Sequence, residues 1–338
     1  MSEPRFLVVR LGSLGDIVHT FPAVAALRES FPKAEMVWLT HPRWRTLVDS
    51  SELASEIWEV DPRSYSSVRG ILGHIRKRRF TAAIDYQGLW KSAALPFLGN
   101  VPRRIGFSSY SVREFGVPLL YTDRVRCTEG HIAQQNGELS QGAGARNGVA
   151  TFQLSVPSLQ EAFALRLLHS FGVDRYVVLS PTGGWRSKCW PPERYGALCR
   201  QIYANLGLRC ILNQGPGDDQ GIAAVKAASG DAAPIACNSS LYQLMVLLRN
   251  ALCVVAGDTG PLHLAVALGA PVVALFGPTD PARNGPYRVG GDSAKDIVLR
   301  SSHAVTSYKR RDQPDPSLLA LDVATVFNAV RRQVEAPR

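Results

Sequence analysis

The chain has 338 residues, more than one ordinary α/β core uses and about what two domains need. Hydrophobic residues at 46% and charged residues at 20% are enough to fill both cores. An excess of 38 Lys and Arg over 28 Asp and Glu, +10 net, favours anionic partners such as phosphates, acidic sugars or an anionic membrane surface, while its dispersal along the chain, with no recognised module, argues against nucleic acid.

Short apolar runs alternate with amphipathic stretches, the pattern of parallel sheets covered by helices. Phe6 to Val9 reads as a strand leading into a helix from Ile17 to Ser30. Met36 to Leu39 reads as a strand, Tyr65 to Arg78 as a helix and Ala82 to Asp85 as a further strand. The Gly- and Ala-rich stretch Ser140 to Asn147 breaks this rhythm and reads as a surface segment near the domain join. A second series then begins. Its strands are Tyr176–Leu179, Cys210–Asn213, Ile235–Cys237, Cys253–Ala256 and Val272–Phe276, with helices at Pro192–Asn205, Asp219–Ser229, Ser240–Asn250 and Leu262–Leu268. The expected organisation is a Rossmann-like domain over 1–160, a second over 161–320 and a terminal helix over 321–338 that packs back on the first. Ligands of such sheets sit beyond the carboxyl ends of strands. The loops after Val9, Leu179, Asn213, Ala256 and Phe276 are therefore the places to look for chemistry.

In the first of these loops, Arg10-Leu11-Gly12-Ser13-Leu14-Gly15-Asp16, two glycines allow a tight turn and an acid falls at a helix start. The helix dipole would keep Asp16 ionised, and a carboxylate there can take a proton from a hydroxyl; an N-cap is the plainer use of the same residue. The run Gly257-Asp258-Thr259-Gly260-Pro261-Leu262-His263 offers amides at a helix N-terminus to a pyrophosphate, or simply a capped helix and a packed histidine. Thr182-Gly183-Gly184-Trp185-Arg186-Ser187-Lys188 suits phosphates, with Lys188 offsetting charge on a leaving diphosphate. In Gln214-Gly215-Pro216-Gly217-Asp218-Asp219 an acid can meet ribose hydroxyls or serve as a turn and N-cap. The basic groups Arg76–Arg79, Arg103-Arg104, Lys309–Arg311, Lys91 and Arg113 are solvated faces or contacts to a phosphorylated or carboxylated ligand.

The six cysteines show no metal-ligand spacing and fit reduced thiols. No apolar run approaches the ~20 residues of a membrane span, and the start has no signal-peptide layout, so a cytoplasmic protein is expected.

Taken in order, these stretches resemble the ADP-heptose glycosyltransferases of lipopolysaccharide core assembly, an inverting family of GT-B architecture. The most specific parts are Gly257–Gly260 with His263, Leu275-Phe276-Gly277-Pro278-Thr279-Asp280-Pro281 and the amino-terminal Gly15–His19. Ile84–Leu89 with Lys91, then Arg113-Glu114, Tyr121 and His131, are most similar to the branch that adds the first heptose to Kdo on lipid A. The resemblance implies two Rossmann-like domains facing a central cleft. It makes Asp16 the general base and gives acceptor contacts to Ser13, Gly15, Lys91 and Arg113. Lys188 would neutralise departing ADP, and Thr182, Asp258, Thr259, Gly260 and His263 would shape the ADP-heptose pocket. Asp218 lines up with the ribose-binding acid, with Asp219 as its neighbouring alternative, and the segment Ser301 to Pro316 lacks the cysteines of many relatives. No Asp-x-Asp pair lies in a suitable loop. No metal or other cofactor is therefore obligatory, and Mg²⁺ is at most stimulatory. The implied partners are a phosphorylated Kdo-lipid A acceptor and, peripherally, the inner membrane surface. A nucleotide-sugar epimerase, which would turn over donor without acceptor, and a nucleotide-binding interaction protein, indifferent to Asp16, are the competing readings.

Overall fold

The computed structural model describes residues 3–290 and 293–336, which form two units, 1–155 and 156–338. The first holds six parallel strands: β1 (Arg5–Val9), β2 (Glu35–Thr40), β3 (Glu56–Glu59), β4 (Ala82–Asp85), β5 (Arg103–Phe107) and β6 (Asp123–Val125), in the order β3-β2-β1-β4-β5-β6. The second repeats the plan with β7 (Tyr176–Ser180), β8 (Arg209–Gln214), β9 (Ile235–Asn238), β10 (Cys253–Gly257), β11 (Val272–Phe276) and β12 (Asp296–Arg300), ordered β12-β11-β10-β7-β8-β9. Read from the opposite edge, the two orders are the same doubly wound arrangement. Each sheet therefore has one switch point, between β1 and β4 in the first and between β7 and β10 in the second.

Central strands are covered on both faces, which is why they read as continuous apolar runs. Leu7, Val9, Val37 and Leu39 pack with Ile71 and Ile75 of the helix Tyr65–Arg78, and Val177, Leu179, Val255 and Val273 pack with Leu198 and Ile202 of the helix Pro192–Leu206. Each such fully buried side chain contributes roughly 1.5–3 kcal/mol.

Four strands escaped the sequence reading: β3, β5, β6 and β12. Three are edge strands whose charged residues break the apolar run. β5 opens on Arg103-Arg104, a pair that looks like a surface cluster. Arg103 instead donates to Asp123 and to the Gly142 carbonyl, and Arg104 to the Leu120 carbonyl. The run Arg76–Arg79 is structural as well. It closes a helix C-terminus, with Arg78 ion-paired to Glu35 and Glu56 and Arg76 donating to the Leu98 carbonyl.

Three further expectations need correction. Ser140 to Asn147 is no simple surface break, because its first residues end the helix Ile132–Gly142, which packs on the helix Phe21–Ser30. Ser140 is buried and bonds the Tyr86 hydroxyl and the Ala23 carbonyl, while an added Cβ at Gly142 would meet Val125 at 2.7 Å. The small residues serve close packing. The terminal helix Val323–Glu335, expected against the first domain, places Val326, Phe327 and Val330 in the core of the second unit. The run from Ile17 to Ser30 is also two helices, Leu14–Val18 and Phe21–Ser30.

Candidate active site

At the first switch point, β1 leads into the turn Arg10–Ser13 and the helix Leu14–Val18. Ser13 is the N-cap and Asp16 the third helical residue, whose Oδ2 accepts from the Ser13 amide at 3.0 Å and the Ser13 hydroxyl at 2.9 Å. Asp16 is thus the acid of a capping box rather than the cap itself. Gly12, at φ +154°, could not be replaced without disturbance, because a Cβ would lie 2.8 Å from the Trp44 ring nitrogen.

The second carboxylate oxygen of Asp16 sits 2.8 Å from Nη2 of the buried Arg10, whose Nη1 donates to the Tyr86 carbonyl after β4. Burial by itself would raise the Asp16 pKa. The Arg10 guanidinium and the two Ser13 hydrogen bonds outweigh it and hold the carboxyl below its ordinary value. Arg10 is the largest of the lowering influences, with Ser13 next. The Asp16 side chain is 39% exposed and that of Arg10 5%, so this site presents an anion with its cation behind.

Arg10 is itself held by the loop after β4. Tyr86 donates its amide to Val9, and Gln87 Oε1 accepts from the Leu11 amide at 2.8 Å. The loop in turn hangs on buried Asp85, which accepts from Tyr121 Oη (2.7 Å), Ser92 Oγ (2.9 Å) and the amides of Gln87 (2.9 Å) and Gly88 (3.3 Å). Burial raises the Asp85 pKa despite these donors. Arg10 and Asp85 had passed as motif letters in the sequence; only their burial makes them supports of Asp16. Gly15 is buried inside the short helix. Arg113 is exposed, and its charge helps lower the Asp16 pKa. Lys91 is exposed in the first turn of the helix Trp90–Leu98, with no contact to Asp16 among the described residues.

At the second switch point, Lys188 ends a single 3₁₀ turn after β7 and Asp258 follows β10. Lys188 Nζ lies 2.6 Å from Asp258 Oδ2, and His263 Nε2 lies 3.2 Å from Oδ1. Burial would raise the Asp258 pKa, but His263 and Lys188 hold it far below the carboxylate range. Here the acid is 6% exposed and the cation 17%, the reverse of the first site. The Lys188 ammonium also stands 4.4 Å from the centre of the Trp185 ring, which Arg310 shares at 5.0 Å. The two loops meet so closely that a Cβ at Gly257 would lie 2.5 Å from the Lys188 carbonyl and one at Gly183 would lie 2.6 Å from Thr259.

Thr259 is the N-cap of the helix Gly260–Ala267, yet its hydroxyl turns to the Gly257 carbonyl at 3.3 Å, leaving the helix end to whatever binds there. Thr182 Oγ1 donates to Asp218 Oδ2 at 2.6 Å, joining the loops after β7 and β8, and the Gly215 amide donates to the same oxygen at 2.8 Å. Asp219 is exposed and bonded to Gln214. The structure thus gathers Thr182 with Asp218 and, separately, Lys188, Asp258, Thr259, Gly260 and His263. Among the described residues no cluster of three or more His, Cys, Asp or Glu side chains has the geometry to hold a metal, and no helix is long and apolar enough to cross a membrane.

The model of glycosyltransferase family 9 (heptosyltransferase) matches residues 69–313, well over half of the chain. The chain belongs to glycosyltransferase family 9. It is a glycosyltransferase, and among its relatives the lipopolysaccharide heptosyltransferase 1 of Salmonella typhimurium is 27% identical, with 96% of this chain and 99% of that protein aligned. The fold is that of the family's solved members. A family 9 glycosyltransferase from Veillonella parvula superimposes with a TM-score of 0.84 at 20% identity, covering 99% of this chain and 98% of that one. The Escherichia coli heptosyltransferase WaaC, solved with ADP, gives 0.76 at 24% identity, covering 97% and 99%.

Proposed function

We propose that this family 9 enzyme transfers L-glycero-D-manno-heptose from ADP-heptose to Kdo-lipid A in assembly of the lipopolysaccharide inner core, with inversion at the anomeric carbon. The observation that carries the mechanism is the opposite presentation of charge at the two switch points: an exposed, ionised Asp16 in one unit and a cation, Lys188, in the other. The acceptor hydroxyl attacks the anomeric carbon as its proton passes to Asp16. The bond from that carbon to the diphosphate breaks, and its electron pair leaves on ADP. A carboxylate held below its ordinary value is a weak base for a free hydroxyl. Proton transfer therefore belongs late in the step, when the new C–O bond has made the hydroxyl acidic.

Lys188 and the amides following Asp258 stabilise the leaving diphosphate, a role that asks nothing of Mg²⁺ beyond stimulation. Asp258 and His263 hold Lys188 in place, Thr259 and Gly260 shape the phosphate end, and Thr182 with Asp218 takes the ribose. Ser13, Gly15, Lys91 and Arg113 take the acidic acceptor. Support for this donor and acceptor comes from the near full-length match to a lipopolysaccharide heptosyltransferase 1 and from the ADP in the E. coli structure. The enzyme then works from the cytoplasm against the inner membrane, where a lipid-anchored acceptor lies.

The test is ADP release by purified protein given ADP-heptose with and without Kdo-lipid A. Release only when both are present is the expected result. Release without acceptor would turn the reading toward an epimerase or hydrolase, and transfer to a core already bearing heptose would move the enzyme to a later step.

A further inference from the structure

The helix Trp90–Leu98 is apolar on both sides. Its inner face, Ser92, Ala93, Leu95 and Pro96, is buried against the first unit. At helical spacing its outer face carries Trp90, Phe97 and Leu98, all exposed, with Lys91 beside them. The neighbouring segment extends this face. Gly116 abuts the Trp90 ring, Phe115 is 99% exposed and Leu119 71%. A surface helix normally keeps its solvent side polar, and a contiguous apolar area of this kind marks an interaction site.

The surroundings identify what covers it. Lys91, Arg113, Arg124 and Arg126 are all exposed in this part of the first unit, whereas the acid Asp85 is buried. Arg104 stacks over Phe97 at 5.4 Å and Arg126 over Tyr110 at 4.9 Å. In the β5–β6 register Gly106 pairs with Arg124, and a Cβ at Gly106 would point into the Tyr121 ring. Arg124 and Arg126 therefore share the sheet face on which Arg104, Tyr121 and the exposed helix lie. Exposed aromatics and aliphatics rimmed by cations match an anionic bilayer, whose headgroups take the charges while the apolar tips enter the acyl boundary.

We propose that Trp90, Phe97, Leu98, Phe115 and Leu119, with Lys91, Arg124 and Arg126, form the face by which this enzyme docks on an anionic phospholipid bilayer. Its place in the reaction rests on the acceptor reading above, since Arg113, whose charge reaches Asp16, lies two residues from Phe115. The binding itself does not.

The experiment is flotation of the full chain with vesicles of phosphatidylcholine containing about one-third phosphatidylglycerol, beside vesicles of phosphatidylcholine alone, in the absence of donor and acceptor. Binding to the anionic vesicles only, weakened by salt, is expected. Phe115→Ser with Leu119→Ser, and separately Arg124→Glu with Arg126→Glu, should each weaken it about 10-fold. Far-UV circular dichroism and the urea midpoint should stay unchanged, showing that the fold is kept. Equal binding to both vesicles, no binding, or variants that bind like the wild type would overturn the proposal. So would a wild-type dimer that the Phe115/Leu119 variant abolishes, since a second copy would then be the occupant. Vesicle binding with no transfer to Kdo-lipid A would leave the docking face standing and remove the acceptor.

Discussion

The two units share one topology and place their functional loops at the same point of it, yet they offer a ligand opposite charges. In the first, the cation is buried and the acid exposed. In the second, the acid is buried and the cation is the more open partner. A switch point supplies a crevice and converging loop ends, but no preference for sign. The sign follows from which member of an ion pair the packing hides. Arg10 is locked from behind by the Tyr86 carbonyl, so Asp16 faces outward; Asp258 is locked by His263, so Lys188 does. The hidden partner sets the exposed one's ionisation and its position, which suits a base in one unit and a counter-charge to a leaving diphosphate in the other.

This contrast can be broken most severely at the exposed groups. Asp16→Asn should lower kcat by at least ~100-fold with ADP affinity retained, whereas Lys188→Ala should lower kcat by a similar ~100-fold and weaken ADP as well. Steady-state rates beside calorimetric ADP titration separate them, and an Asp16→Asn enzyme that loses ADP binding would erase the division of labour. Removing the hidden cation is expected to cost less. Arg10→Met should slow turnover by about 10-fold and, because the guanidinium is what depresses the Asp16 pKa, move the acid limb of the kcat/KM profile to higher pH. An unmoved limb would mean that Arg10 only packs.

Both acids leave a trace in stability. Their folded pKa values lie below the ordinary carboxylate value of 3.8, so their contribution is complete above that value and is lost as pH falls through the folded values. Asp85, raised by burial, acts in the opposite sense: its contribution is present at low pH and is lost as pH rises through its folded value. Urea midpoints should therefore drop as pH falls below 3.8 in the wild type, and drop less in Asp258→Asn. The smallest effect concerns metal. With Lys188 opposite the diphosphate, EDTA should change the initial rate by less than about 2-fold, and a collapse of the rate would transfer that role to a cation the enzyme must recruit.

Much of the scaffold was legible because its signals are local. Apolar strand runs such as Leu7–Val9 and Val272–Phe276 mark central strands whatever else the chain does, and Gly12, Gly183 and Gly257 mark places where a ring, a side chain or backbone comes too close for a Cβ. Asp16, Lys188 and Asp258 stood out because they lie in the connections that follow such strands. Less local features went unread. The edge strands β3, β6 and β12 bury too little to show a pattern, and Arg103-Arg104 looked like a solvated cluster until β5 placed it beside Asp123 and the Leu120 carbonyl.

By itself the sequence determined two parallel α/β sheets, the loops that end their strands and the residue types those loops carry. Periodicity and turn chemistry are written into a few neighbouring positions. Only the tertiary structure decided that Arg10 stands behind Asp16, that Lys188 and His263, seventy and five residues from Asp258, close on the same carboxylate, that Thr182 rather than solvent meets Asp218, and that the terminal helix belongs to the second core. Several of those pairings join residues far apart in the chain. They depend on which side of a strand end is buried, and no short stretch of sequence carries that.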